Sequence, residues 1–308
     1  MTNINEVELD GLDHKIVSVK KPKTPRSINQ HLVPLYFTAL FVGAKNSGKT
    51  YGLVKLLKNF EKYPIYNSDG DKLDIKIILW CPTAHSKCNP IYTTLKDLDE
   101  KDIHTSYNDE ALLQVLDEIE ELKKEIEDYS NYKRSWNRFL KLKISQLTEE
   151  DFMILYKYNF VPIEEIPKPP YENPPVIMMI LDDMIGNKDC FKRGNCAISN
   201  LTIKHRHLGI NLLYTSQNPK SIPNIIRNNI DLWILYRFAN KNMILDKLYE
   251  EVSSLVVEDE FSKLYDYATK EPHNALVVDT HPLTKNEDRF KLNFDIALRF
   301  NNITESSH

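Results

Sequence analysis

Long apolar runs are absent from this 308-residue sequence. A membrane-spanning helix needs roughly 18–20 consecutive apolar residues, and no segment approaches that length. The opening residues, MTNINEVELD, are polar and do not form a secretory signal peptide. We therefore expect a soluble intracellular protein with no membrane span.

Cysteine and net charge are also scarce. The sequence has four cysteines without CxxC spacing, Cys81, Cys88, Cys190 and Cys196, which excludes a disulfide framework in a chain this long and disfavours a zinc site. The formal net charge is only -4, which argues against a protein coated in cations for wrapping DNA. A motor that touches DNA through a few basic residues in a pore is still compatible with this charge.

What the sequence does contain is a series of short apolar segments separated by helical patterns. Segments typical of buried strands lie at 35–43, 75–80, 176–183, 210–217, 231–238 and 274–279. Because helical segments alternate with them, we predict an α/β fold with a central, mainly parallel sheet covered by helices on both faces.

The predicted domain organisation is an N-terminal arm at 1–34, a core at 35–281 and a C-terminal tail at 282–308. The arm carries a basic cluster and is either a solvated leader or a DNA-contacting tail; the cluster is Lys20, Lys21, Lys23 and Arg26.

A highly charged segment interrupts the core. Residues 109–145 have a helical pattern with one apolar side, and a Pro-rich stretch at 161–175 returns the chain to the sheet. We predict a helical hairpin inserted at about 105–172, with the basic and aromatic segment 133–143 as its second half. That composition is compatible with DNA contact, with a partner-facing helix or with an ordinary amphipathic surface.

The sharpest motif lies between the first predicted strand and the helix that follows it. Residues 43–50 match GxxxxGK[ST], the phosphate-binding loop or Walker A motif. We expect the loop N–H groups to surround the β-phosphate, Lys49 to contact the β- and γ-phosphates, and the Thr50 hydroxyl to bind Mg²⁺. The predicted ligands are ATP and Mg²⁺, and the binding residues are Gly43, Ala44, Lys45, Asn46, Ser47, Gly48, Lys49 and Thr50.

Two later predicted strands end in polar residues. The strand at 176–183 ends in Asp182 and Asp183, and carboxylates at the tip of a central parallel strand lie beside the phosphate site. We predict a Walker B arrangement in which Asp182 holds Mg²⁺ and Asp183 polarises the attacking water. Gln217 ends the next strand and is predicted to hydrogen-bond the γ-phosphate or that water.

The order of these motifs resembles that of a known superfamily. The stretch RHLGINLLYTSQNP at 206–219 resembles the part of FtsK/HerA motors in which an arginine and a Gly-Ile pair lead into a strand ending in TQ or SQ. Segments 222–238 and 267–281 are similar to poxvirus-type packaging ATPases of nucleocytoplasmic large DNA viruses, or of their virophages. The resemblance covers 35–281 apart from the insertion.

This resemblance implies a motor that uses ATP hydrolysis to package double-stranded viral DNA. It implies a hexameric or pentameric ring of copies, capsid proteins as partners, and a location in the host cytoplasm or the virion. It also implies that Arg206 acts on the ATP of the neighbouring subunit as an arginine finger, with Arg227 as a competitor for that role. The chain departs from the family in having Asp182-Asp183 where Asp-Glu is common.

Two other kinds of function stay open. A nucleoside or nucleotide kinase shares the loop, but such kinases usually carry an Arg-rich lid. A nucleotide-regulated, DNA-associated scaffold would bind ATP without needing Asp183 or Arg206. A GTPase is disfavoured because residues 187–190 have cysteine, Cys190, at the fourth position, where the N-K-x-D guanine motif has aspartate.

Overall fold

The computed structural model describes residues 24–86, 89–95, 98–184, 190, 196–218, 221–238 and 248–300. Several features singled out in the sequence lie outside these ranges: the lysines of the basic cluster in the predicted arm, Cys88, residues 187–189 and the last eight residues. No helix within the described ranges is both long enough and apolar enough to cross a membrane.

One nine-stranded sheet organises the fold, and a small three-stranded sheet accompanies it. The strands are β1 (Arg26–Ser27), β2 (Thr38–Val42), β3 (Ile65–Tyr66), β4 (Lys72–Leu73), β5 (Ile75–Trp80), β6 (Ile103–His104), β7 (Val176–Leu181), β8 (Ile210–Ser216), β9 (Leu232–Tyr236), β10 (Ala275–Asp279), β11 (Phe290–Leu292) and β12 (Ile296–Ala297). The large sheet has the order β12-β11-β10-β9-β2-β8-β7-β5-β6, and the small sheet has the order β1-β3-β4.

The large sheet is mainly parallel. Every neighbouring pair from β9 across to β6 is parallel, whereas β10, β11 and β12 join the other edge as antiparallel strands. The predicted α/β fold with a central, mainly parallel sheet is confirmed.

Helices cover both faces of this sheet. Those with full bounds in the described ranges are α1 (Lys49–Lys62), α2 (Pro90–Thr94), α3 (Asp109–Lys141), α4 (Glu149–Lys157), α5 (Ala197–Leu208), α6 (Asn224–Arg227) and α7 (Glu258–Ala268). Side chains of β2 alternate between two hydrophobic clusters: Leu40 and Val42 pack with α3, α5 and α7, whereas Ala39 and Phe41 pack with α1. Because both faces are buried, the central strands are apolar throughout, the pattern from which they were predicted.

The helical insertion differs from its prediction in the position of its turn. The segment 133–143 belongs mostly to α3, which continues without a break to Lys141, and the second arm of the hairpin is α4. No glycine or proline interrupts α3, so nothing in the chain stops the helix earlier. The arms meet through a separate apolar cluster of Tyr132, Trp136 and Leu155.

The sheet also extends beyond the predicted core boundary at residue 281. β11 pairs with β10 and β12 pairs with β11, so the boundary falls between two hydrogen-bonded strands. At the other limit, Val33 is buried in the core and the Lys291 ammonium donates to the His31 carbonyl at 2.6 Å. Residues on both sides of the predicted core therefore pack with it.

Candidate nucleotide-binding site

Residues 43–48 connect the end of β2 to the start of α1. Gly48 has φ 100° and Asn46 has φ 61°, both in the left-handed region, so the chain reverses tightly before the helix begins. A Cβ on Gly43 would lie 2.4 Å from Ser47 Oγ and 2.6 Å from Tyr236 Cβ, which leaves room only for glycine. The loop therefore has the backbone curl that a phosphate-binding loop requires.

Lys49 is folded back over this loop. Its Nζ donates to the carbonyl oxygens of Gly43 at 3.0 Å and Ala44 at 2.9 Å, and the residue is only 7% exposed. Burial lowers the pKa of Lys49, while the negative charges of Asp183 and Asp182 act in the opposite direction. The ammonium is therefore close enough to both carboxylates for its charge to interact with theirs.

The acidic pair lies at the end of β7 and is tied to β8 by one hydroxyl. Thr215 Oγ1 donates to Asp182 Oδ1 at 2.8 Å and accepts from the backbone N–H of Asp183 at 2.9 Å. The Cys81 thiol donates to the other oxygen of Asp182 at 3.7 Å. Burial raises the pKa of Asp182, and the bond from Thr215 opposes that rise. The acidic pair thus contacts Thr215 and Cys81, for which the sequence suggested no role.

Asp183 has a different environment from Asp182. Its φ of 53° is in the left-handed region, and the residue is exposed. The Gln217 amide donates to Asp183 Oδ1 at 3.4 Å, so the glutamine and the second carboxylate meet at the surface of the site. One carboxylate is therefore fixed and buried, while the other is accessible to water.

The order of the strands explains this convergence. β8 lies between β2 and β7, with Val42 opposite Ser216 and Leu181 opposite Tyr214. The phosphate-binding loop, Gln217 and the acidic pair therefore all follow strands that end at the same edge of the sheet. Gly43 also donates its N–H to the Ser216 carbonyl at 3.1 Å, which joins the loop directly to β8.

The GxxxxGKT loop connects a strand to a helix at the carboxyl end of a parallel sheet, and this arrangement identifies the fold. It is a P-loop NTPase fold. No protein-family model matches the chain, and no curated protein matches it either.

Solved structures do resemble this P-loop NTPase fold. The genome packaging NTPase B204 from Sulfolobus turreted icosahedral virus 2, in complex with ATP-gammaS, matches 86% of this chain and 98% of its own, with 15% identity and a TM-score of 0.43. The cytoplasmic domain of the Type VII secretion ATPase EccC from Thermomonospora curvata matches 80% of this chain and 24% of its own, with 19% identity and a TM-score of 0.36. The pCW3 conjugation coupling protein TcpA, with ATPgS, matches 84% of this chain and 63% of its own, with 17% identity and a TM-score of 0.38. The sequence identities and TM-scores of these three structures are too low to assign an activity to this chain.

Arg206 lies away from the nucleotide site of its own chain. It is in the last turn of α5, and its guanidinium pairs with Asp231 Oδ1 at 2.5 Å. Asp231 Oδ2 accepts from the backbone N–H of Thr38 at 2.9 Å, at the start of β2. The phosphate-binding loop follows the opposite end of β2. A five-residue strand is roughly 16 Å long, so about that distance separates Asp231 from the loop. Arg227, the competing candidate, bonds through its guanidinium to Asn224 in the same helix.

One cavity of the P-loop NTPase fold lies away from the phosphate-binding loop and the acidic pair. It has a volume of about 660 Å³ and lies between the second half of α1, β5 and α3. Its lining includes Lys76 and Asp102, which form an ion pair with each other, and includes no residue of the predicted site. We therefore place the chemistry at the carboxyl edge of the sheet.

Proposed function

We propose that this chain is an ATP-hydrolysing motor that moves double-stranded DNA, and that it packages viral DNA into capsids. The observation that carries the ATPase part is the convergence of three elements at one end of the sheet. Asp182 and Asp183 share Thr215, Gln217 contacts Asp183, and Lys49 of the phosphate-binding loop interacts with both carboxylates. The DNA-packaging part rests on the sequence resemblance in segments 206–219, 222–238 and 267–281.

The oxygen ligands at the site suit Mg²⁺. Thr50 supplies a hydroxyl in the first turn of α1, and Asp182 supplies a carboxylate that is only 3% exposed. Mg²⁺ in nucleotide sites is usually held by one or two protein oxygens together with substrate phosphates. When bound there, Mg²⁺ supplies positive charge that neutralises the phosphates.

The chain's own residues then have distinct roles in hydrolysis. The N–H groups of residues 43–48 and the Lys49 ammonium hold the phosphates, and Lys49 exchanges its bonds to the loop carbonyls for bonds to them. Asp183 accepts a proton from the attacking water, because it is the exposed carboxylate of the pair. Gln217 orients the same water through its contact with Asp183.

We further propose that the working form is a hexameric or pentameric ring. Arg206 is half exposed, with 49% of its side chain accessible, and it lies at the edge of the sheet opposite its own nucleotide site. Its guanidinium can therefore serve as an arginine finger only for the ATP of another subunit. Double-stranded DNA in the ring's centre and capsid proteins are the partners of this proposal.

ATPase assays with and without double-stranded DNA test the proposal. We expect DNA to stimulate the wild type and Lys49→Ala to abolish ATP binding. Asp183→Asn should bind ATP but hydrolyse it about 100-fold more slowly or worse, since general bases contribute roughly 10²–10⁴-fold. Lys62→Ala, at the far end of the same helix as Lys49, is the matched control and should behave as the wild type.

Three results would contradict this function. Normal hydrolysis by Asp183→Asn would remove the proposed base. Turnover that requires a small phosphoryl acceptor would identify a kinase. ATP binding without hydrolysis, with or without DNA, would favour a nucleotide-regulated scaffold.

A further inference from the structure

A second cavity adjoins the phosphate-binding loop on the side away from the acidic pair. β9 and β10 lie on one side of β2, whereas β8 and β7 lie on the other. Because β10 is antiparallel to β9, with Ala275 opposite Tyr236, the residues before β10 lie beside those that follow β9. The cavity, about 340 Å³, is lined by loop residues 44–47 and by Arg237, Phe238, Pro272 and His273.

The inner wall of this region is rigid. Tyr236, at the end of β9, is 3% exposed, and its ring lies 3.5 Å from the position of a Cβ on Gly48. The Tyr265 hydroxyl of α7 donates to the Tyr236 carbonyl at 3.0 Å and accepts from the Phe238 N–H at 3.0 Å. The backbone that leads into Arg237 is therefore fixed relative to the loop.

His273 is held against the loop in an uncommon backbone conformation. Its φ is 65°, and its Cβ and Nδ1 lie 3.4 and 3.5 Å from the position of a Cβ on Gly48. A non-glycine residue in the left-handed region carries a conformational cost, and such residues concentrate at ligand sites. The imidazole therefore lies beside Gly48, at the end of the loop.

Two exposed planar side chains, those of Arg237 and His273, lie at this cavity. Neither of them forms an ion pair or a side-chain hydrogen bond with another residue that the structure describes. Guanidinium and imidazole groups stack favourably on aromatic rings. The cavity therefore offers two planar groups for stacking, beside a loop that binds phosphate.

The direction of the bound triphosphate follows from the position of the catalytic groups. Asp183 and Gln217 must face the γ-phosphate, and both follow strands on the β8–β7 side of the loop. The α-phosphate and the nucleoside must then extend toward β9 and β10. That side holds the 340 Å³ cavity, which is within the roughly 300–1,000 Å³ usual for small-molecule sites.

We propose that this cavity binds the base and ribose of the nucleotide, with Arg237 and His273 stacking on a purine ring. The proposal rests on the nucleotide-binding function proposed above. It assigns nucleoside recognition to residues 237 and 273, and it leaves phosphate binding to the loop. The cavity residues then determine how tightly ATP binds relative to a bare triphosphate.

The test compares two probes by calorimetry, ATPγS and inorganic tripolyphosphate, with Mg²⁺ present. We expect Arg237→Ala and His273→Asn each to weaken ATPγS binding about tenfold and to leave tripolyphosphate binding unchanged. Asparagine tolerates the left-handed backbone at residue 273, so His273→Asn removes the ring without adding strain. Arg299→Ala, an exposed arginine outside the cavity lining, is the matched control and should change neither affinity.

The outcomes separate this proposal from the function on which it rests. Equal losses for both probes would identify Arg237 and His273 as phosphate ligands and overturn the nucleoside pocket. Unchanged binding of both probes to both variants would also overturn it, while nucleotide binding itself would stand. Failure of the wild type to bind either probe would instead refute the nucleotide-binding function.

Discussion

Thr215 shows how much of the site depends on a single hydroxyl. It donates to Asp182 and accepts from the backbone N–H of Asp183, the two residues for which we propose different roles. A bond of this kind orients a metal-binding carboxylate and keeps it available in its charged form. Thr215 is a positioning residue, because it acts through the acidic pair.

We predict that Thr215→Val slows ATP hydrolysis by about 10–100-fold, the usual cost of losing a residue that orients a metal ligand. Binding of ATPγS should change little, because the loop that holds the phosphates is untouched. Thr202→Val is the matched control, since the Thr202 hydroxyl is also buried but bonds to Ile198 and Tyr214. Equal effects of the two substitutions on hydrolysis would show that Thr215 has only a packing role.

Asp279 makes stability depend on pH. It lies at the end of β10 and is 1% exposed. Burial raises its pKa to about 6, although the hydrogen bond from the His281 N–H and the positive charge of Lys291 lower that pKa. The folded state thus holds this proton more tightly than the unfolded state, where an aspartate pKa is about 3.9. The contribution of this proton to the free energy of unfolding is fully present below about pH 4, and it is lost as the pH rises through about 6.

We predict that Asp279→Asn removes this pH dependence. Between pH 4 and pH 7 the free energy of unfolding of the wild type should fall by roughly 2–3 kcal/mol more than that of the variant, since one pKa unit corresponds to about 1.4 kcal/mol. Urea denaturation of both proteins across that range measures the difference, and the other carboxylates cancel in the comparison. A difference in unfolding free energy that stays constant with pH would contradict the prediction.

At the scale of elements, α1 packs closely against the end of β9 through Gly52 and Tyr236. A Cβ on Gly52 would lie 1.9 Å from the Tyr236 hydroxyl oxygen and 3.2 Å from its ring carbon Cζ. The absence of a side chain at residue 52 therefore allows the tyrosine to pack over the first turn of the helix. The same tyrosine packs beside Gly48, so the contact fixes the loop as well as the helix.

Gly52→Ala should destabilise the protein by roughly 1–3 kcal/mol through this overlap. Tyr236→Phe removes the overlapping oxygen, so the double variant Gly52→Ala/Tyr236→Phe should recover most of that loss. Alanine also favours a helix interior by about 1 kcal/mol over glycine, which adds to the recovery. Thermal denaturation of the four proteins forms a double-mutant cycle, and strictly additive effects would disprove the contact.

The helical insertion has its own packing. The cluster of Tyr132, Trp136 and Leu155 joins α3 to α4, apart from the two clusters that flank the sheet. Ser135 Oγ donates to Asp151 at 3.1 Å, and Asp151 also completes the cap at the start of α4 with Thr148. Contacts within the hairpin therefore stabilise its outer part, whereas the first half of α3 packs in the main core through Leu112, Val115 and Ile119.

At the scale of the whole molecule, the nucleotide site and Arg206 lie at opposite edges of one sheet. Arg206 is anchored to Asp231, which also binds the start of β2, so the arginine is oriented by the same strand that carries the phosphate-binding loop at its other end. In the proposed ring of identical subunits, we expect this arrangement to present an oriented cation to the next subunit.

Mixing two inactive variants tests this arrangement. Arg206→Ala retains its nucleotide site, and Lys49→Ala retains its arginine, so a mixed ring should recover activity that neither variant has alone. With random assembly at a 1:1 ratio, roughly a quarter of the interfaces would combine an intact site with an intact arginine. Assays before and after exchange of subunits measure the gain. Absence of any gain, with mixed rings verified by mass, would remove Arg206 as the finger.

The local features of this protein follow from its sequence alone. The buried strands, the GxxxxGKT loop and the start of α1 were all predictable, because hydrophobic periodicity and backbone requirements act over a few residues. The turn of the hairpin was misplaced because 133–143 carries the same helical pattern as the rest of α3. The last two strands were missed because β11 is short and partly buried and β12 is short and exposed, which weakens the alternating pattern.

Which of these features meet depends on the folded chain as a whole. The position of β8 between β2 and β7, the hydroxyl of Thr215 between two carboxylates, the pairing of Arg206 with Asp231, and the cavity beside His273 all join residues far apart in the chain. Strand order is set by the burial of whole faces of the sheet, a property of the folded chain that no single segment contains.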